Sequence, residues 1–305
     1  MKISSRWTTL MGCFALAAVA SPLYAGTIGY YRFESGSELM DSSGNGRNLT
    51  IAGINAAPVS YTLPTRATVT TTQSPYPVAG SYFPTVSPLT GTANNYAVQG
   101  GGANQTFQKY YSLASTSITS GLTVETCLNL ANNDSTTKII ANQGANQTNG
   151  SWAFLVTSDV SGQGERQLLF QYATTAGAWG SNGLDSVKPG IQLTVGIDYY
   201  IAVSFDLALT NVTFYVQNLT EGGPLQVITK ARQFSGYYDS TAPMTIGADG
   251  TGGNGWHGTL DEVRISDSAL SQSQLLISVP EPATASLAFM GLGLVWAAAR
   301  RNKKA

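Results

Sequence analysis

The chain has 305 residues, a formal net charge of −1 and only 11% charged residues. Without the two end segments described below, residues 26–279 hold ten Lys or Arg and sixteen Asp or Glu, so this part is acidic. That balance argues against nucleic acid and anionic membrane surfaces as partners.

The N-terminus has the three parts of a secretory signal peptide. Lys2 and Arg6 precede an apolar stretch at residues 10–20, and the small residue Ala25 marks a cleavage site. The apolar stretch is too short to span a bilayer as a helix. We expect residues 1–25 to form a signal helix that is removed on export.

Residues 26–278 show short runs of alternating apolar and polar residues, with turn-forming residues between them. In the run at 122–130, Leu122, Val124 and Leu128 share one face, opposite Glu125 and Cys127. Many such runs predict a single all-β, antiparallel two-sheet domain. Further strands are predicted at 79–83, 96–99, 168–172, 199–205, 212–217, 225–230 and 260–265, with a helical turn at 271–276.

The C-terminus reads Val279-Pro280-Glu281-Pro282, then an uncharged apolar stretch at 283–299, then a basic tail at 300–304 that begins Arg300-Arg301. Seventeen residues is about the minimum for a transmembrane helix, and flanking basic residues tend to stay in the cytoplasm. A C-terminal transmembrane helix is therefore predicted. The alternative is a buried helix of the domain.

This order of parts resembles the PEP-CTERM sorting signal of Gram-negative bacteria. The resemblance implies an exosortase as the partner of residues 279–305. It also implies an exported protein that is transiently anchored in the inner membrane and associated with the cell surface, exopolysaccharide or biofilm material.

The remainder resembles the laminin-G-like, concanavalin A-like domains. The resemblance rests on Asp41-Ser42-Ser43-Gly44-Asn45-Gly46, on the runs at 122–125 and 199–206, and on 258–265. It implies a jelly-roll sandwich over 26–278. Because this fold hosts enzymes, lectins and adhesive modules, function has to be argued from a site.

The carboxylates do not have the spacing of a glycosidase pair. Residues i and i+2 share a strand face, but Glu125 has no carboxylate at 123 or 127, and Asp261 and Glu262 are neighbours expected on opposite faces. The single histidine, His257, lies in a Gly-rich loop, and Cys127 is expected to be an apolar filler. We therefore expect a non-enzymatic binding or structural protein, with a glycan-processing enzyme or a ligand-free matrix protein as alternatives.

A structural calcium site is one interpretation of the oxygen-bearing residues. Asp261 has the parity of Val263 and Ile265, which predicts an inward carboxylate that needs compensation. The family resemblance brings the terminal strands together, so Asp41, Asn45 and Asp261 could converge on one Ca²⁺. Alternatively, Asp41 forms an Asx-turn and Asp261 accepts backbone amides.

Carbohydrate binding is the function we expect, because Trp152, Trp179 and Trp256 lie near polar or Gly-rich loops. Aromatic rings stack on sugars while polar side chains bind their hydroxyls. The partner would be a polysaccharide or cell-surface glycan. The alternative is that each tryptophan caps an end of the sandwich.

Overall fold

A computed structural model describes residues 26–34, 37, 39–52, 89, 98–99, 110–130, 136–144, 149–157, 166–179, 183–256 and 258–278. The predicted signal peptide, the strand at 79–83, His257 and the whole tail from 279 lie outside these residues. Among the described residues, no helix is both long enough and apolar enough to cross a membrane.

The domain is built from two antiparallel sheets. The seven-stranded sheet has the order β1-β15-β5-β11-β12-β13, and β3 pairs with β15. Its strands are β1 (Thr27–Tyr31), β3 (Val98–Gln99), β5 (Gly121–Leu130), β11 (Asp198–Asp206), β12 (Asn211–Asn218), β13 (Gln226–Ala231) and β15 (Gly258–Ser266).

The eight-stranded sheet has the order β10-β8-β7-β6-β14-β4-β2, and β9 pairs with β8. Its strands are β2 (Thr50–Ala52), β4 (Tyr110–Leu113), β6 (Lys138–Gln143), β7 (Trp152–Val156), β8 (Arg166–Ala173), β9 (Leu184–Val187), β10 (Gln192–Leu193) and β14 (Met244–Ile246).

The hydrophobic core lies between the sheets and is formed by alternate residues of their strands. On β5, Leu122, Val124 and Leu128 belong to this core, whereas Cys127 belongs to a second cluster on the opposite face. The alternation read from the sequence is thus confirmed, and so is the antiparallel two-sheet sandwich. We call the sheet surfaces that point away from the core the outer faces.

The segment after β15 crosses the outer face of the seven-stranded sheet. It contains two short 3-10 turns, Gln272–Gln274 and Leu276–Ser278, close to the helical turn predicted at 271–276. Leu270, Leu275 and Leu276 are buried there with Tyr200. Side-chain hydrogen bonds from Thr123 and Ser204 to backbone carbonyls of this segment add to the attachment. The part of this outer face that lies over β5 and β11 is therefore covered by the chain itself.

Candidate functional site

An extra residue in β15 determines where its acidic side chains point. Asp261 pairs with Cys127 of β5, but the next pair joins Arg264 to Glu125, so three steps on β15 oppose two on β5. Glu262 occupies the irregularity and has a φ of 52°. This is a β-bulge, which changes the side-chain alternation along a strand.

The bulge places both acids on the outer face of the seven-stranded sheet. Asp261 lies opposite Cys127, and Glu262 accepts a hydrogen bond from Tyr30, a residue of the outer-face cluster. Two expectations were therefore wrong. Asp261 does not share the inward direction of Val263, and the two acids do not point to opposite faces.

Glu125 is buried at the centre of a hydrogen-bonded network. Its Oε1 accepts from Nε of Arg264 at 2.6 Å and from Nη2 of the same guanidinium, and this ion pair has both side chains fully buried. Its Oε2 accepts from the hydroxyl of Tyr200 at 2.6 Å and from the backbone amide of Leu276 at 2.8 Å. Four donors leave this carboxylate fully engaged, and one of them ties down the C-terminal segment.

Glu262 is engaged in a similar way. Its carboxylate accepts the hydroxyl of Tyr30 and lies 3.6 Å from Nε of Arg32. Burial and the neighbouring Glu262 raise the pKa of Tyr30 well above its usual value. Tyr30 therefore remains a neutral donor to this buried carboxylate.

Cys127 lies between these acids and is itself buried. Burial, followed by the charges of Asp261, Glu262 and Glu125, raises the pKa of its thiol well above the ordinary value. A nucleophilic cysteine needs the opposite shift, because the thiolate is the reactive form. This supports reading Cys127 as an apolar filler.

Asp41 closes the loop that follows β1. Its Oδ1 accepts the backbone amides of Tyr30 and Ser43 at 3.0 and 2.9 Å and the Ser43 hydroxyl at 2.6 Å. Its Oδ2 accepts the amide of Arg47 at 3.1 Å. Burial opposes ionisation, but the bonds from Ser43, Tyr30 and Arg47 outweigh it and lower the pKa of Asp41. The Asx-turn alternative thus describes Asp41.

The proposed calcium ligands are not brought together. The Tyr30 backbone amide binds Asp41 and its carbonyl accepts the Ser42 amide at 2.7 Å, so this loop lies along the free edge of β1. Asp261 lies on β15, which pairs with the other edge of β1. The backbone near Asp41 and the backbone near Asp261 are therefore separated by about 10 Å, which is two strand spacings.

The side chains of Asn45 and Asp261, the other two proposed calcium ligands, also form hydrogen bonds within the protein. The side-chain amide of Asn45 donates to the carbonyl of Thr27 at 2.6 Å, and Oδ1 of Asp261 accepts the amide of Glu262 at 2.8 Å. Within the described residues, no group of three or more His, Cys, Asp or Glu is placed to hold a metal ion. The expected convergence of Asp41, Asn45 and Asp261 is therefore not what this structure provides.

Two of the three candidate tryptophans are core residues. Trp152 is 0% exposed and its indole donates to Oε1 of Gln143 at 3.1 Å. Trp256 is 1% exposed and donates to the carbonyl of Thr259 at 3.2 Å. Their rings fill the space between the sheets and offer no face to a sugar, so the expectation that they stack on a ligand is corrected.

Trp179 lies in a different setting, on the outer face of the eight-stranded sheet. It is half-buried and packs against an apolar cluster of outward residues from three adjacent strands. That cluster consists of Ile139, Ala153, Leu155 and Leu169. Of the three tryptophans, only Trp179 combines an apolar support with a partly accessible ring.

Polar side chains flank this apolar cluster on β8 and its neighbours. Gln171 donates from its side chain to the hydroxyl of Ser186 at 2.9 Å. On the other side, Gln167 lies opposite Gln192. The sequence analysis does not identify these residues as site candidates. The signal was the alternation Gln167, Leu169, Gln171 within β8, which places amides and an aliphatic side chain on one face.

Several solved structures are similar to parts of this chain. The binding domain of botulinum neurotoxin DC, solved with rat synaptotagmin II, is similar with a TM-score of 0.48 and 11% identity over 84% of this chain. Domain 4 of AbnA, an extracellular arabinanase from Geobacillus stearothermophilus, solved with arabinotriose, is similar with a TM-score of 0.47 and 16% identity.

The two similar structures differ in how much of their own length this chain covers. This chain covers 51% of the neurotoxin domain, about half its length, whereas it covers 96% of the AbnA domain, with 83% of this chain matched. No curated protein matches the chain.

Family profiles match two parts of the chain. The PEP-CTERM protein-sorting motif matches residues 278–304 and indicates an exported protein that an exosortase processes in Gram-negative bacteria. The laminin-G profile matches residues 102–276, more than half of the chain. The chain, with its two antiparallel sheets, therefore belongs to the concanavalin A-like lectin/glucanases superfamily.

Proposed function

We propose that this protein is an exported, non-enzymatic glycan-binding protein of the cell surface or exopolysaccharide matrix. The observation that carries the proposal is Trp179, half-buried on the outer face of the eight-stranded sheet. A tryptophan ring supported from beneath can stack on the C–H face of a sugar. Gln171, which lies opposite Ala153 of the same cluster, and its partner Ser186 supply hydrogen-bonding groups of the kind that bind hydroxyls.

The state of the acidic residues supports a non-enzymatic role. Glycoside hydrolysis uses two carboxyl groups that flank the scissile bond and reach the substrate. Here Glu125 is bonded to four donors beneath the C-terminal segment, and Glu262 is bonded to Tyr30 and paired with Arg32. Neither carboxylate is placed to meet a ligand from solvent.

The sorting motif supports the location. In this proposal the apolar stretch at 283–299 holds the protein transiently in the inner membrane, with Arg300 and Arg301 on the cytoplasmic side. An exosortase then acts near Val279-Pro280-Glu281-Pro282. The domain before residue 279 is delivered to the cell surface or the surrounding matrix.

The test is a glycan array followed by pull-down on insoluble polysaccharides, with the purified full-length protein in mild detergent, in Ca²⁺ and in EDTA. We expect retention on at least one glycan in both conditions, and its loss in Trp179→Ala. Val227→Ala is the matched control, because Val227 is an exposed apolar residue of the other sheet, 47% accessible. Absence of binding to every glycan by folded protein would refute the proposal in favour of a structural matrix role.

A further inference from the structure

A lysine, Lys188, follows β9 directly and leaves the sheet on the face that carries Trp179. Ser186 and Lys188 are exposed. Val187 between them and Pro189 after them are buried. A residue that precedes proline is held in an extended conformation, so the alternation of β9 continues for one more residue. The side chain of Lys188 therefore points to the same outer face as that of Ser186.

The register of the sheet places Lys188 next to the apolar support of Trp179. Ser186 pairs with Gln171 of β8. Two steps along each strand, in opposite directions, bring Lys188 beside Leu169, a member of the cluster against which Trp179 packs. Neighbouring strands are about 4.8 Å apart, and the flexible four-carbon stem of lysine spans such a distance. A sugar that stacks on Trp179 is thus within reach of this ammonium group.

The protein binds most of its described cations internally. Of the ten Lys or Arg in residues 26–279, two lie outside the described residues, which leaves eight. Six of these eight are hydrogen-bonded or ion-paired within the protein: Arg32, Arg47, Lys138, Arg166, Arg232 and Arg264. Within the described part of the chain, Lys188 and Lys230 have no such partner.

These two lysines differ in their position. Lys230 lies on β13, at the edge of the seven-stranded sheet, whereas Lys188 lies beside the cluster under Trp179. An acidic domain with few cations thus presents one of them to solvent next to its half-buried tryptophan. This arrangement points to a ligand with a negative charge close to a stacking ring.

An acidic sugar combines these two features. In a hexuronic acid the carboxylate is attached directly to a ring carbon, so a ring stacked on Trp179 holds its charge at the ring edge. A lysine ammonium is a compact charge with three donors and pairs with a carboxylate or a sulfate ester. A hydrogen bond between charged groups is about twice as strong as one between neutral groups. An acidic sugar therefore gains more from Lys188 than a neutral sugar does.

We propose that the Trp179 site binds an acidic polysaccharide, with a sugar ring stacked on Trp179 and an oxyanion of the sugar paired with Lys188. This inference rests on the glycan-binding function proposed above. The acidic balance of residues 26–279 repels a polyanion at long range, but at about 0.15 M salt such repulsion is screened beyond about 8 Å. The direct contact with Lys188 is shorter than this distance and is retained.

The experiment compares acidic polymers with neutral forms of the same backbone. The probes are polygalacturonate and its methyl ester, hyaluronan and carboxyl-reduced hyaluronan, and dextran sulfate and dextran, which separate a carboxylate from a sulfate as the bound group. Full-length protein in mild detergent is titrated with each probe at about 0.15 M NaCl. We expect binding to at least one acidic polymer, with an affinity about two- to fivefold higher than for its neutral form, the range of an exposed ion pair.

Three variants make the outcome specific. Lys188→Gln should weaken binding to the acidic polymer by the same factor of about two to five and leave binding to the neutral form unchanged. Lys230→Gln is the matched control and should change neither. Trp179→Ala should abolish binding to both forms, because it removes the ring on which the sugar stacks.

The results that contradict the two proposals are distinct. Equal affinity for an acidic polymer and its neutral form, binding to neutral polymers alone, or equal effects of Lys188→Gln and Lys230→Gln would each overturn this inference and leave the glycan-binding function intact. Absence of binding to every polymer by folded protein would overturn both.

Discussion

Glu125 and Arg264 form an ion pair across β5 and β15 in which both side chains are completely buried. The Tyr200 hydroxyl and the Leu276 amide bind the other carboxylate oxygen. The pair therefore joins two interior strands to the segment that covers them.

Arg264→Met should destabilise the domain strongly, because it leaves the Glu125 carboxylate buried without its cation. Removal of one partner of a buried pair costs about 3–5 kcal/mol. Urea unfolding followed by tryptophan fluorescence would measure it. Lys230→Met is the control, since Lys230 is exposed on β13 and such surface changes stay within about 0.5 kcal/mol. Equal losses in the two variants would contradict the role assigned to the pair.

Asp41→Ala should lower the free energy of unfolding at neutral pH by about 1–2 kcal/mol, because backbone amides of Tyr30, Ser43 and Arg47 lose their acceptor. The pKa of Asp41 is lowered in the folded state. Its stabilisation is therefore complete above the unfolded pKa near 3.9 and is lost as pH falls through the lower folded value.

Denaturant curves at several pH values would show this as a wild-type advantage that shrinks in acid. Asp206→Ala is a suitable comparison, because its carboxylate accepts from the Ala208 amide in an exposed turn. The free energy of unfolding of Asp41→Ala could instead differ from that of the wild type by the same amount at pH 7 and well below pH 4. That result would show that ionised Asp41 is not the stabilising form.

Tyr30 and Tyr200 should resist ionisation until the protein unfolds. Burial is the main cause of both raised pKa values, and the adjacent carboxylates of Glu262 and Glu125 add to it. The unfolded state releases these protons near pH 10, whereas the folded state retains them, so stability falls as pH rises above that value.

An alkaline titration of tyrosinate absorbance would resolve two groups among the 15 tyrosines. Exposed rings ionise reversibly, and the buried ones ionise together with the loss of folded structure. Tyr200→Phe should remove one proton from the second group. A single reversible transition of all tyrosines near pH 10 would be the opposite result.

Calcium should not change the melting temperature. A ligand that binds only the native state raises stability in proportion to the logarithm of its concentration over Kd, but Asp41, Asn45 and Asp261 are separated and hydrogen-bonded within the protein. Thermal melts in millimolar Ca²⁺ and in EDTA should coincide. A higher melting temperature in Ca²⁺ that disappears in Asp41→Ala would restore the calcium interpretation.

The tryptophans should divide into structural and surface residues. Trp256→Ala removes a fully buried ring and should cost about 3–5 kcal/mol. Trp179→Ala should cost much less, because its ring is only half-buried. Chemical denaturation of the two variants, with circular dichroism to confirm folding, would decide this. Comparable destabilisation would place Trp179 in the core instead.

Much of the fold was predictable because alternation follows directly from strand geometry. The opposite faces of Leu122 and Glu125 on β5 are an example. The bulge at Glu262 was not predictable, because strict alternation holds only in a regular strand. One inserted residue makes the residues before it point to the face opposite to the one expected by counting back from the residues after it. That single irregularity accounts for both errors about Asp261.

The candidate site was predictable only in part. Loop composition identified Trp179, but composition alone did not distinguish it from Trp152 and Trp256, which lie in similar polar surroundings along the sequence. The burial of each indole depends on the side chains that pack against it: those of the core for Trp152 and Trp256, and those of the outer-face cluster for Trp179. Those contacts join residues far apart in the chain, so a local pattern does not contain them.

The attachment of the C-terminal segment has a mechanical consequence. The Leu276 amide bound by Glu125 lies two residues before Ser278, where the sorting motif begins. Tension applied to the motif therefore reaches interior strands of the seven-stranded sheet within a few residues, through Glu125 and through the bond from Arg264 to the carbonyl of Gln274. In the proposed function, in which the domain binds a glycan while it is held at its C-terminal end, a pull on the motif is thus met first by β5 and β15.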